Sequence, residues 1–125
     1  MSVVATAQDK VKHYLELNRK YLIEGESLLA KGDYAQASEK FWGATAEMIK
    51  TLAASRGLEL RTHSDLWAFI TKLRDELKDS QVTLLFGLAN TLHQNFYEAS
   101  MTPEAVRDHA DAVKELIHRL EKLLA

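Results

Sequence analysis

The chain contains no cysteine. That removes disulfides, thiolate catalysis and cysteine-ligated zinc together, and it fits a reducing compartment. Proline occurs once and glycine five times in 125 residues. β-rich domains need turn residues at short intervals, whereas the gaps between them here are helix-length. No apolar run approaches the roughly 20 residues that span a bilayer, so no membrane association is expected. Met1-Ser2-Val3-Val4-Ala5 has neither a charged start nor a long apolar stretch, so no secretory signal is expected and the expected address is the cytoplasm. Neither sign of charge dominates: 16 basic residues face 18 acidic ones, for a net charge of −2. The strongly basic balance of an indiscriminate nucleic-acid binder is missing, which leaves room only for a local basic patch.

Chemical signatures are missing too. The five histidines, His13, His63, His93, His109 and His118, include no pair three or four residues apart. No single helix therefore offers a two-histidine metal site, and there is no His-Glu-x-x-His. The glycines are isolated, so there is no phosphate-cradling loop, and no serine sits in a nucleophile elbow. The sequence accordingly calls for no metal and no cofactor, and it identifies no catalytic residue.

What is present is helical periodicity. Apolar residues make up 46 % of the chain, enough for one domain with one core over residues 1–125. A first helix is predicted from Thr6 to Lys31. Ala7, Val11, Tyr14, Asn18, Tyr21, Gly25 and Leu28 recur on it at steps of four and three, the stripe of a core-facing helix. Asn18 is either a buried, hydrogen-bonded register residue or the wet edge of that stripe. Gly25 costs up to about 1 kcal/mol in a helix interior and is tolerable if another helix crosses closely.

Gly32 is placed to end this helix as a left-handed cap. Asp33 starts the next, with Gln36 three residues on as a capping-box-like partner. So short a connection makes the two helices antiparallel neighbours. The second helix, Asp33 to Arg56, carries two apolar stripes, Tyr34-Ala37-Phe41-Ala44-Met48-Leu52 and Ala35-Trp42-Ala46-Ile49-Ala53. Only Gln36, Lys40, Gly43, Glu47 and Lys50 form a polar strip. Such a helix is central to a bundle or lies in a subunit interface.

Gly57 is the next stop, and Leu58 to His63 reads as a loop. A third helix is predicted from a Ser64 cap to Asp79, and a fourth from Gln81 to Ala99. A fifth starts at Thr102-Pro103-Glu104, where cap, helix-opening proline and first-turn acid coincide. Gly-Asp-Tyr-x-x-Ala resembles one turn of a tetratricopeptide unit, but no second copy exists to stack on it.

The candidate site residues are His93, Asn90, Tyr97, Lys40, Glu47 and His63. His93 continues the fourth-helix stripe Val82, Phe86, Ala89, His93, Phe96, beside the polar strip Asn90, Gln94, Tyr97. Acid–base chemistry needs such a sheltered titratable group with neighbours to tune it. A packed histidine with one satisfied ring nitrogen explains the position more simply. His63 reads as packing on the turn that follows it. Lys40, Glu47 and Lys50 are a charged face that only concave surroundings would turn into a site. Trp42 and Trp67 read as core or interface anchors.

The run from Leu28 through Gly32-Asp33-Tyr34-Ala35-Gln36-Ala37, then Lys40-Phe41-Trp42-Gly43-Ala44, Ala44 to Lys50, Gly57 and His63, and Leu92-His93-Gln94-Asn95-Phe96-Tyr97-Glu98 resembles the archaeal PaREP family. More broadly it resembles the HEPN superfamily, the higher eukaryote and prokaryote nucleotide-binding domain. The resemblance spans about residues 20 to 120. It implies an all-α, antiparallel up-and-down bundle of four main helices plus one shorter helix. It also implies a homodimer, and a nucleotidyltransferase, a nucleotide or RNA as further partners. Catalytic HEPN relatives are metal-independent ribonucleases with an arginine shortly before a histidine on a late helix. Here Phe86, Gly87 and Leu88 stand where that arginine would precede His93. Arg56 and His63 match the spacing only across a helix end and a loop. The expectation is therefore a non-catalytic HEPN-like bundle that binds a ligand or partner. The alternative is a metal-independent ribonuclease using His93.

Overall fold

The computed structural model describes residues 6–124; the signal-peptide reading of Met1 to Ala5 lies outside them. Among the described residues there are five helices and no strand: α1 (Ala7–Ala30), α2 (Tyr34–Ser55), α3 (His63–Leu77), α4 (Gln81–Glu98) and α5 (Pro103–Glu121). At 15 residues, α3 is the shorter member of the bundle.

The helix ends follow from local chemistry. Thr6 caps α1 reciprocally with Asp9. Gly32 closes it at φ 79°. There the Gly32 amide donates to the Leu29 carbonyl and the Asp33 amide to Leu28, the paired bonds of a Schellman ending. Gly57, at φ 73°, ends α2 the same way through Ala54 and Ala53. Asp33 caps α2 by accepting from the Gln36 amide, but Gln36 returns no bond, so the expected pair is one-sided.

The start of α3 differs from the sequence reading. Thr62, not Ser64, is the cap, and His63 is the first helical residue rather than the end of a loop. The reason lies three residues on. Thr62 accepts from the Asp65 amide while the Asp65 carboxylate accepts from the Thr62 and Arg61 amides. Ser64 has Trp67 at the matching position and no such reciprocity.

Helix α2 is the axis of the bundle. Fourteen of its 22 residues are buried, because α1, α3, α4 and α5 all pack on it. Phe41, Met48, Ile49 and Leu52 meet Ile70, Leu73, Val82, Phe86, Leu92, Leu116 and Leu120 in one cluster. Its buried hydroxyls bond back into their own helix: Ser38 to the Tyr34 carbonyl, Thr45 to Phe41 and Thr51 to Glu47. Trp42 is also buried within the chain, only 6 % exposed. It is a core residue, so the interface role considered for it is not what holds it.

The seam between α1 and α2 is set by small residues. Asn18 is fully buried and donates to the Ala44 carbonyl at 2.7 Å, so it is the register residue. A Cβ on Gly25 would stand 3.0 Å from the Phe41 ring, and one on Gly43 would stand 3.0 Å from the Tyr21 ring. Each helix thus offers a glycine to the other's aromatic ring. Elsewhere, Asn95 ties α4 to its neighbours. It donates to the Ser38 hydroxyl at 3.0 Å and accepts from the Met101 amide at 2.9 Å.

Candidate functional site

The polar strip of α2 is where the bundle leaves its central helix uncovered. Lys40, Gly43, Glu47 and Lys50 follow at steps of three and four, which puts them on one face. Tyr21 of α1 walls one side. The segment Leu60 to His63 and the stacked rings above α3 wall the other. The result is a groove made of two depressions. One, of about 280 Å³, is lined by Tyr21, Glu39, Lys40, Trp42, Gly43, Ala46, Glu47 and Lys50. The second, of about 190 Å³, shares Trp42, Ala46 and Lys50 and adds Leu60, Arg61, Thr62, His63 and Leu66.

Aromatic stacking builds one wall. The His63 ring stacks on Trp42, with centroids 5.3 Å apart and planes 15° from parallel. His93 reaches both, 5.3 Å from Trp42 and 5.3 Å from His63. Tyr97 stands edge-on to His93 at 5.5 Å while remaining 73 % exposed. His93 Nδ1 is 3.1 Å from Glu39 Oε2, a contact that orients the imidazole. His93 is therefore a half-buried histidine with one ring nitrogen partnered.

The charges of the groove are mostly spoken for. Lys40 pairs with Glu24 at 3.2 Å and lies over the Tyr21 ring. Arg61 reaches Glu59 at 3.3 Å from an exposed position. Lys50 stands 3.6 Å from Glu47 Oε1. Glu47 is the exception. Its residue is 9 % exposed, and its Oε2 is buried without a hydrogen-bond partner. Burial pushes its carboxyl above the ordinary value, while the nearby Lys50 and His13 pull it partly back.

Of the six candidate residues, the structure brings five together. Lys40 and Glu47 line the first depression, His63 the second, and His93 and Tyr97 continue the aromatic wall. Asn90 is half-buried and lines neither depression. Glu39, Trp42, Lys50 and Arg61 are among the other lining residues. Lys50 was legible as part of the strip. Glu39 and Arg61 carried no periodic signal, since one sits beside the strip and the other in a loop. Among the described residues no cluster of histidine, aspartate or glutamate is arranged to hold a metal ion, and no helix is long and apolar enough to cross a membrane.

Fold and groove together define a five-helix, all-α bundle with a charged and aromatic cleft along its central helix. Residues 13–117 match the model of the archaeal PaREP1/PaREP8 family, and the chain belongs to that family. Among solved structures, a crystal structure of a protein from Sulfolobus solfataricus is similar. It is 27 % identical, with a TM-score of 0.77, over 87 % of this chain and 97 % of that one. No curated protein matches the chain.

Proposed function

We propose that the chain is a non-catalytic HEPN-like bundle whose groove binds one nucleotide unit, either free or within an RNA strand. The observation that carries this is the groove itself. Lys40, Lys50 and Arg61 line a cleft bordered by Tyr21, Trp42 and His63, the combination of cation and ring that a phosphate joined to a base requires. The near-neutral chain argues for a local contact rather than an extended electrostatic footprint. The test is a nuclear magnetic resonance titration with nucleoside 5′-monophosphates and a short single-stranded RNA. Amide shifts should concentrate in Lys40 to Lys50 and Arg61 to His63, and weaken in Lys50→Ala. No shift at millimolar nucleotide, with either ligand, refutes the proposal.

A homodimer and a separately encoded nucleotidyltransferase partner belong to the same reading. The exposed apolar side chains of α3 and α4 on which either could settle are Trp67, Leu84 and Leu88. Light scattering after gel filtration should give twice the chain mass; a monomer across micromolar concentrations removes the dimer.

One observation favours a second reading, a metal-independent ribonuclease. His63 and His93 lie side by side, and such a pair can take a proton from an attacking 2′-hydroxyl and give one to the leaving 5′-oxygen. Yet Arg56 is held by Glu76 in a two-pronged pair, and the partner at the His93 ring is the Glu39 carboxylate rather than an arginine. Charge developing on the phosphate therefore lacks a positioned guanidinium at His93. The expected result is no cleavage of mixed single-stranded RNA in chelator. Cleavage lost in both His63→Ala and His93→Ala would replace the binding reading with the catalytic one.

A further inference from the structure

Among the described residues, three side-chain oxygens are buried with no hydrogen-bond partner: Asn18 Oδ1, Glu24 Oε1 and Glu47 Oε2. The first two have structural explanations. Asn18 already uses its amide on the Ala44 carbonyl inside the α1–α2 seam. Glu24 places its other oxygen on Lys40 and stands 4.0 Å from Lys20. Glu47 resembles Glu24 in that its other oxygen faces a lysine, Lys50 at 3.6 Å, but that contact is longer, and Glu47 alone of the three lines the groove.

A buried carboxylate oxygen left unpaired is costly. Glu47 accepts that cost at the bottom of a cleft while Lys50 holds only its Oε1, at 3.6 Å. The terminal carboxyl torsion is broad, so the carboxylate that lines the cavity can turn towards a ligand placed there. Around it the cavity is lined by the small residues Gly43 and Ala46 and by the rings of Tyr21 and Trp42, and about 280 Å³ holds a single ring system rather than a larger ligand.

We infer that Glu47 is a specificity residue: its free oxygen accepts a hydrogen bond from an exocyclic amine on a planar heterocycle, so the groove prefers amine-bearing bases to their carbonyl counterparts. The inference rests on the nucleotide-binding reading above and adds to it. A carboxylate is an acceptor only. It pairs with the amine of cytosine or adenine. In uracil or hypoxanthine that position holds a carbonyl, which it repels, and the donor on that edge is instead the adjacent ring N–H, so preference depends on the register in which the base sits. Lys50, one turn along α2 and shared by both depressions, stands where it can meet the attached phosphate.

Matched pairs of 5′-monophosphates isolate the effect. Cytidine is compared with uridine and adenosine with inosine, because within each pair only the amine is exchanged for a carbonyl with its ring proton. Affinities are read by amide-shift titration of the full chain. The expected preference is about tenfold for the amine-bearing member of each pair. In Glu47→Gln, whose carboxamide both donates and accepts, the preference should fall below about twofold. The variant removes a buried charge and keeps the side-chain shape, so folding is not at stake, and its circular dichroism spectrum verifies this. Equal affinities within both pairs overturn the role of Glu47 and leave the groove reading standing. A preference that survives Glu47→Gln overturns it too, by assigning discrimination to another residue. Binding by none of the four removes the groove reading, and this inference with it.

Discussion

Replacing Gly25 by alanine should destabilise the protein, although the same change in most helix interiors stabilises it. Two opposing terms can be worked from the structure. Glycine in a helix costs about 1 kcal/mol relative to alanine, and Gly25 has ordinary helical backbone, so that gain is available. Against it, the new Cβ would stand 3.0, 3.0 and 3.1 Å from three atoms of the Phe41 ring, well inside ordinary van der Waals contact. Phe41 is fully buried and has nowhere to go. Forcing an extra methyl into such packing costs about 1–3 kcal/mol. The net expectation is a loss of about 1 kcal/mol, or roughly 3–5 °C in melting temperature for a domain of this size. Urea denaturation of the single variant, of Phe41→Leu and of the double variant separates the terms. The double variant should be more stable than the two losses added together, because the smaller side chain relieves the clash. Gly43→Ala is the built-in contrast. Its Cβ would stand 3.0 Å from Tyr21, but Tyr21 is only half-buried and can yield, so the variant should be neutral or slightly stabilised. A Gly25→Ala protein more stable than the parent, with no coupling to Phe41, would refute the reasoning.

Glu47→Gln should raise the melting temperature at pH 7. Its carboxyl is raised above the ordinary 4.5 by burial, so the parent has its full stability below that pH and loses some as pH rises through the folded-state value. The advantage of the variant should therefore shrink towards pH 4, and an advantage that grows on acidification would contradict this. Ala99 ends α4 at φ 49°, a left-handed conformation that costs a residue with a Cβ about 1 kcal/mol; Ala99→Gly should recover about that much in a thermal melt. His93→Ala should lose about 1–3 kcal/mol, since its ring touches Trp42, His63 and Tyr97 and partners Glu39. The exposed Gln94, replaced by alanine, should change stability by less than about 0.5 kcal/mol. An unchanged melting temperature for His93→Ala would count against the packed-histidine account.

The helices were legible because their signals are local. Thr102-Pro103-Glu104 opens α5 as read, with Thr102 accepting from the Ala105 amide, and Gly32 and Gly57 stop their helices where the sequence placed them. Val106, Ala110, Val113, Leu116, Ile117 and Leu120, spaced at threes and fours, are all buried on one face of α5. Thr62 was missed in favour of Ser64 because both are good caps, and only the reciprocal bond from Asp65 distinguishes them. The alternatives for Asn18 could not be resolved locally, since its partner Ala44 lies 26 residues on. The groove was half legible. Lys40, Gly43, Glu47 and Lys50 declared themselves as one face of α2. Their concavity did not, because it is created by Tyr21 from α1 and by the segment leading into α3. Nothing in helical spacing says that His63 and His93, on separate helices, share Trp42 as a neighbour. Nor does it say that Glu39, off the strip, reaches across to His93, 54 residues away.

Helix α1 packs chiefly on α2 and makes surface ion pairs with α5, Glu26 with Lys114 and Arg19 with Glu121. Only Asn18 and Gly25 of its 24 residues are buried. We expect α1 to be the element that opens first, a partial opening that costs less than global unfolding, although it exposes the core side of Leu15, Leu22, Leu28 and Leu29. Yet Tyr21, one wall of the groove, belongs to it. An occupant that touches Tyr21 binds the closed form and not the opened one, so occupancy must slow the opening of α1 by mass action. In hydrogen exchange the imprint of a ligand should therefore spread along the whole of α1, far beyond the residues it touches, while α5 exchanges as before. If the groove is filled as proposed, its occupant also acts as a latch on the N-terminal helix.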